Sequence, residues 1–109
     1  MEVSVLELSA AGNHMLTRPE GKAVRDNIKA LIESGARVHI SFTGVHAPSP
    51  SFIDEALGRL VLDLGEDQFR RRVLLIADSA TETVRRLTNK VLAHRIQQVR
   101  ASQDSSEEA

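Results

Sequence analysis

VHISFTGVHAPSPSFIDEALGRLVLDL, residues 38–64, changes its hydrophobic period once. Val38, Ile40 and Phe42 alternate with His39 and Ser41, which is the period of two of a half-buried strand. Gly44 breaks the strand, and a loop with Pro48 and Pro50 follows. From Ser49 or Ser51 onward the period becomes that of a helix. Phe52, Ala56, Leu60 and Leu64 form one row, and Ile53, Leu57 and Val61 the adjoining row. An apolar face that wide predicts a well-buried helix. A strand feeding a helix through a serine-rich turn is also where open α/β sheets place their ligand sites.

Downstream, Gly65-Glu66-Asp67 ends the helix, and Gln68 to Arg71 reads as a polar connector. Val73-Leu74-Leu75-Ile76-Ala77 is a continuous aliphatic run, the mark of a central strand covered on both faces. Asp78-Ser79 is placed to cap a last helix with a stripe of Val84, Leu87, Val91, Ile96 and Val99. Upstream, Thr17 and Glu20 form a capping box with Pro19 in the first turn. That helix carries Ala23, Val24, Ile28, Leu31 and Ile32, and Gly35 is suited to its left-handed C-terminal cap. Val3 to Leu8 alternates as a first strand, and Gly12-Asn13 signals a turn.

The order β-α-β-α-β-α predicts one α/β domain: a small mixed, mostly parallel sheet with alternating helices. The first strand could run antiparallel, because the connector after it is long enough to hold another short strand. The domain is expected over residues 1–100. Residues 101–109, polar and acidic, are expected to be a disordered tail.

Composition narrows the function. The chain has 109 residues, no cysteine, no Trp or Tyr and three Phe. Disulfides, thiol chemistry and cysteine-type zinc sites are excluded. A cysteine-free chain with an acidic rather than basic N-terminus and no apolar run near ~20 residues is expected to be cytoplasmic, not secreted or membrane-spanning. Charge is uneven beneath a net −1: residues 1–69 hold six Lys/Arg against ten Asp/Glu, and residues 70–100 hold eight against two. A basic last helix admits an alternative function, a nucleic-acid-binding module using Arg70, Arg71, Arg72, Arg85, Arg86, Lys90, Arg95 and Arg100. The near-zero net charge and scarce aromatic rings argue against nucleic acid. An exposed strand edge also allows a homodimer.

Leu16-Thr17-Arg18 at the first helix, Ser41-Phe42-Thr43-Gly44-Val45 at the second strand's end and Ser51-Phe52-Ile53-Asp54-Glu55 at the second helix occur in an order with a familiar outline. Together with the aliphatic strand at 73–77, they resemble the STAS-like domain family, relatives of the STAS anti-sigma factor antagonists. The resemblance covers roughly residues 16–98. It implies a STAS-like fold and a regulatory binding module without catalytic residues or cofactors. The implied partner is an ATPase of the serine- or histidine-kinase type, or an anti-sigma-like protein. The resemblance also implies docking that is lost when a serine at the start of the second helix is phosphorylated. The family pattern usually places Asp-Phe where this chain has Ser41-Phe42, and the usual Asp-Ser-Ser-Gly acceptor is replaced by Ser49-Pro50-Ser51-Phe52.

Ser49 and Ser51 are thus the phosphoacceptor candidates, and each is equally suited to capping the helix. Partner contacts are expected at His46, Phe52, Asp54, Glu55 and Arg18. A cation such as Arg18 at a helix start opposes the helix dipole, which points to a specific carboxylate contact in the fold or on a partner. His14, His39, His46 and His94 show no metal-ligand spacing, so no metal is expected. A hydrolase built from Ser51, His46 and Asp54 is discounted for want of a Gly-x-Ser-x-Gly turn.

Overall fold

The computed structural model describes residues 2–11 and 15–108, with side chains of 10, 11 and 104–108 left aside. The Gly12-Asn13 turn and His14 lie outside the described residues. Three strands, β1 (Val3–Glu7), β2 (Arg37–Ser41) and β3 (Val73–Ile76), form one sheet in the order β1-β2-β3. Both pairings are parallel, with Leu6 opposite Ile40 and Ile40 opposite Leu75. The antiparallel option for β1 is therefore not taken. A 3-10 turn at Leu8–Ala11 leads instead toward a helical crossover, as parallel neighbours require.

The first crossover is α1 (Arg18–Glu33). The second contains α2 (Pro50–Ile53), a π-helical segment at Asp54–Gly58, α3 (Arg59–Leu64) and α4 (Glu66–Arg72). Because both steps move the same way across the sheet, right-handed connections put these helices on one face. That face presents Val38, Ile40 and Val73 to Ile28, Phe52, Ile53, Leu57, Leu60 and Val61, all buried. The wide apolar face read from residues 52–64 is therefore the centre of the core, with Leu64 partly buried at its end. Fully burying each such aliphatic or Phe side chain contributes on the order of 1.5–3 kcal/mol.

The opposite sheet face is open. Val3, Val5 and Leu74 are 51%, 62% and 42% exposed. This corrects the reading of residues 73–77 as a central strand covered on both sides. β3 is an edge strand, and its aliphatic continuity does not reveal that the helices cover only one face.

Local capping matches the sequence at several points. Thr17 caps α1, its hydroxyl accepting from the Glu20 N–H at 3.4 Å and donating to Glu20 Oε1 at 2.5 Å. At the other end the Gly35 N–H bonds the Ile32 carbonyl and the Ala36 N–H bonds the Leu31 carbonyl. That is a Schellman closure, with Gly35 at φ +96°.

Three elements differ from expectation. The connector at 68–71 is the helix α4, which buries Phe69 and places Glu66 and Asp67 in its first turn and Arg70 to Arg72 in its last. That arrangement suits the helix dipole. The cap of the last helix, α5 (Glu82–Glu108), is Thr81, whose hydroxyl accepts from the Val84 N–H. Ser79, the expected cap, instead donates to the Ile76 carbonyl and accepts from the Phe42 N–H at 2.8 Å, tying β3 to the end of β2. Finally, α5 continues to Glu108, past the point at which a disordered tail is expected. No Pro or Gly follows Glu82 to stop it, and elongating an existing helix is far easier than starting one.

Candidate functional site

The loop after β2 is held by its own polar groups. Ser41, buried, donates its hydroxyl to Thr43 Oγ1 at 3.1 Å and accepts from the Thr43 N–H at 3.3 Å. Gly44 then turns the chain at φ +81°. Val45 enters the core, whereas His46 and Ala47 face solvent.

The two candidate serines have different surroundings. Ser49 is the N-cap of α2: its hydroxyl accepts from the Phe52 N–H at 3.0 Å and donates to the Leu16 carbonyl at 2.7 Å. Its N–H also bonds the Met15 carbonyl. Ser49 thereby joins the start of α2 to the approach to α1. Pro50 occupies the first helical position, where no N–H is needed. Ser51 is half-buried, and its hydroxyl has no hydrogen-bond partner among the described residues. It opens into a cleft of about 570 Å³ between the starts of α1 and α2 and one face of α5. Arg18, Lys90, His94 and Arg95 bring cations or donors to that cleft; Leu87 and Val91 give it an apolar floor.

Asp54 organises the cations. Its carboxylate takes Arg95 in a two-pronged contact, Nε to Oδ1 and Nη2 to Oδ2, both at 2.7 Å. Arg18 Nη1 reaches Oδ2 at 3.0 Å and Glu55 Oε2 at 3.1 Å. The Arg95 guanidinium, with Arg18 adding to it, holds the Asp54 carboxyl below the usual carboxylate range against the opposing effect of burial. In turn, the hydrogen bonds that Arg18 donates to Asp54, and then to Glu55, raise its pKa, and those that Arg95 donates to Asp54 raise that of Arg95. The carboxylates that Arg18 requires at a helix start are thus supplied by the fold.

Glu55 is pinned more deeply. Arg25, itself buried, donates to the Glu55 carbonyl at 2.6 Å and lies 3.5 Å from its carboxylate. The helices can approach this closely because residue 21 is glycine. A Cβ there would sit 2.7 Å from the Phe52 carbonyl oxygen and 2.9 Å from Glu55 Cβ.

The expected partner-binding set therefore divides. His46 is exposed, and Arg18 is half-exposed at the mouth of the cleft. Phe52 has no exposed surface and Glu55 only 8%. Their positions on the helix face the core, where the apolar row and the Arg25 contact claim them. Asp54 is an internal clamp whose oxygens are already occupied. Ser51 makes no contact with His46 that would support a nucleophile–base pair. In the sequence, Arg95 is read only among the basic residues of a nucleic-acid alternative, and Gly21 is not singled out. Arg95 lies eight residues beyond Leu87 on one helix face, but its Asp54 partner is 41 positions away.

The π-helical segment begins at Asp54, one residue after α2. Such widened turns commonly occur where a helix is adapted to a site. Here it carries both clamped carboxylates, Asp54 and Glu55.

Much of the basic charge of the last helix is neutralised in place. Arg86 pairs with Glu82, Arg95 with Asp54 and Arg100 with Glu66, which also takes Arg70. Among the described residues, no group of three or more His, Asp or Glu could hold a metal ion. No described helix is long and apolar enough to cross a membrane.

A three-stranded parallel sheet with its helices on one face makes this a small α/β domain of STAS-like architecture. The family model for the STAS-like domain of unknown function matches residues 20–82, more than half of the chain, and the chain belongs to that family. Searches of curated proteins and of solved structures give no match.

Proposed function

We propose that this domain is a regulatory protein–protein docking module whose partner is an ATPase of the serine- or histidine-kinase type. It acts by binding rather than by catalysis. The exposed loop at His46 and Ala47, the start of α2 at Pro50 and Ser51, and Arg18 beside them make up the docking surface. Phosphorylation of Ser51 is the switch. The partner's kinase activity transfers the γ-phosphoryl group of ATP to Ser51 Oγ. The new Oγ–P bond replaces the bond to ADP, and the hydroxyl proton passes to a base on the partner.

The observation that carries the choice of residue is the contrast between the two serines. Ser49 Oγ is engaged as donor and acceptor inside the helix cap, while Ser51 Oγ has no hydrogen-bond partner among the described residues and borders the cleft. Family membership supports the regulatory class. A charge of about −2 at this surface would alter docking by changing its electrostatic complementarity.

Two measurements test the reading. Purification of the tagged full chain from its native cells is expected to bring down such an ATPase. Repeated recovery with no ATPase of this kind counts against the partner class. Mass spectrometry after incubation with that partner and ATP is expected to find phosphate on Ser51. A stable complex carrying no phosphate there would leave docking in place and remove the switch.

A further inference from the structure

The cleft beside Ser51 has a chemistry of its own. Arg18 enters from α1; from α5 come Lys90 and His94, one turn apart on the same face, and Arg95, the next residue along the helix. Asp54 is the acid among them, so the formal balance is two positive charges with His94 neutral. Lys90 and His94 make no hydrogen bond or ion pair within the described residues. Arg95 is already aimed by its bond to Gln98 Oε1 at 2.9 Å and by the Asp54 clamp. The volume lies within the range of small-molecule sites, roughly 300–1,000 Å³.

We propose that this cleft is a phosphoryl-binding site, with Lys90, His94 and Arg95 of α5 and Arg18 of α1 receiving a phosphate monoester. Planar guanidinium groups match the oxygens of a phosphoryl group in paired hydrogen bonds, and Lys90 adds a mobile point charge. Asp54 accepts hydrogen bonds from both of these guanidinium groups, so phosphoryl oxygens would compete with its carboxylate for them. Leu87 and Val91 lie beneath the ester's organic portion.

The phosphoryl group has two possible sources: a free monoester, or phosphate carried on Ser51 itself. The second source rests on the proposed switch; the first does not. Both depend on the same α5 cations, so one paired variant tests them together. Lys90 and His94 are exposed, and K90A/H94A is expected to retain the parent's thermal stability.

The experiment titrates the full unmodified chain with AMP at low salt and follows binding by calorimetry. It also records phosphorus NMR of the chain carrying phosphoserine at position 51. A free-ester site gives a Kd below about 1 mM, weakened at least about tenfold by K90A/H94A. A site for the chain's own phosphate shows no AMP binding. Instead, the phosphoserine's second ionisation falls below its usual value of about 6 and returns toward it in K90A/H94A.

Absence of AMP binding together with a phosphoserine signal insensitive to Lys90 and His94 overturns the proposal. AMP binding that is equally strong in K90A/H94A also overturns it, by placing the ligand elsewhere. Neither readout involves the ATPase partner, so the docking function stands or fails separately.

Discussion

Replacing Gly21 by alanine tests the packing on which the clamp depends. Gly21 lies inside α1, and on helix propensity alone the change to alanine should stabilise by about 1 kcal/mol. The tertiary structure reverses that sign. The added methyl would lie 2.7 Å from the Phe52 carbonyl oxygen, 2.9 Å from Glu55 Cβ and 3.1 Å from the Ala56 nitrogen. Two of these neighbours are backbone atoms of the opposing helical stretch, and neither can rotate away. Ordinary contact requires α1 to retreat by roughly half an ångström, and core overpacking of this kind costs about 1–3 kcal/mol, occasionally more. Retreat also lengthens the Arg25 contact with the Glu55 carbonyl, now 2.6 Å. The net expectation is destabilisation by about 1–2 kcal/mol, or a Tm lower by roughly 5–15 °C for a domain of this size. Urea unfolding followed by circular dichroism, with a thermal melt beside it, measures the change. A G21A chain as stable as the parent, or more so, would refute the close approach of the two helices.

Other predictions follow from the caps and the clamp. Ser49→Ala is expected to lose about 1 kcal/mol through the cap, whereas Ser51→Ala stays within about 0.5 kcal/mol; urea titrations distinguish them. Gly35→Ala, although it meets open space, is expected to destabilise by about 1 kcal/mol because φ is +96° there; its melting temperature is the check. A double-mutant cycle on D54A and R95A should return a coupling of about 1–3 kcal/mol, and a value near zero would show that the two-pronged pair contributes nothing. Asp54 also predicts an acid dependence. Its folded pKa lies below the ordinary value of 3.8, so its stabilisation is complete above that value and is lost as pH falls through the folded one. The stability gap between the parent and D54N should therefore narrow below about pH 4, and melts between pH 7 and pH 3 will show whether it does.

The candidate site was legible in part. Local signals placed the break at Gly44, the α2 start at Ser49 to Ser51 and the closure at Gly35, because turns and caps are made by residues close in sequence. The choice between the serines was not local. Both occupy positions suited to a helix start, and only the Leu16 carbonyl, brought in by α1, gives Ser49 a second partner. Arg18 was flagged by its unfavourable place at a helix N-terminus, but its carboxylates are 36 and 37 residues away. Phe52 and Glu55 are buried because their helix turns both toward neighbours that the sequence does not reveal.

The sequence by itself determined the alternation of the three strands with α1, the helical run from Pro50 and α5, though not α4. It also determined the wide apolar face over residues 52–64 and the starts of α1 and α2. These follow from hydrophobic period and from short-range backbone chemistry, which act within a few residues. Only the tertiary structure decided that β3 is an edge strand, that one sheet face is open and that Gly21 permits a close helix contact. It alone gathered Arg18, Asp54 and Arg95 beside Ser51. Such features depend on which distant segments meet, and a side chain's period along the chain carries no record of what stands opposite it.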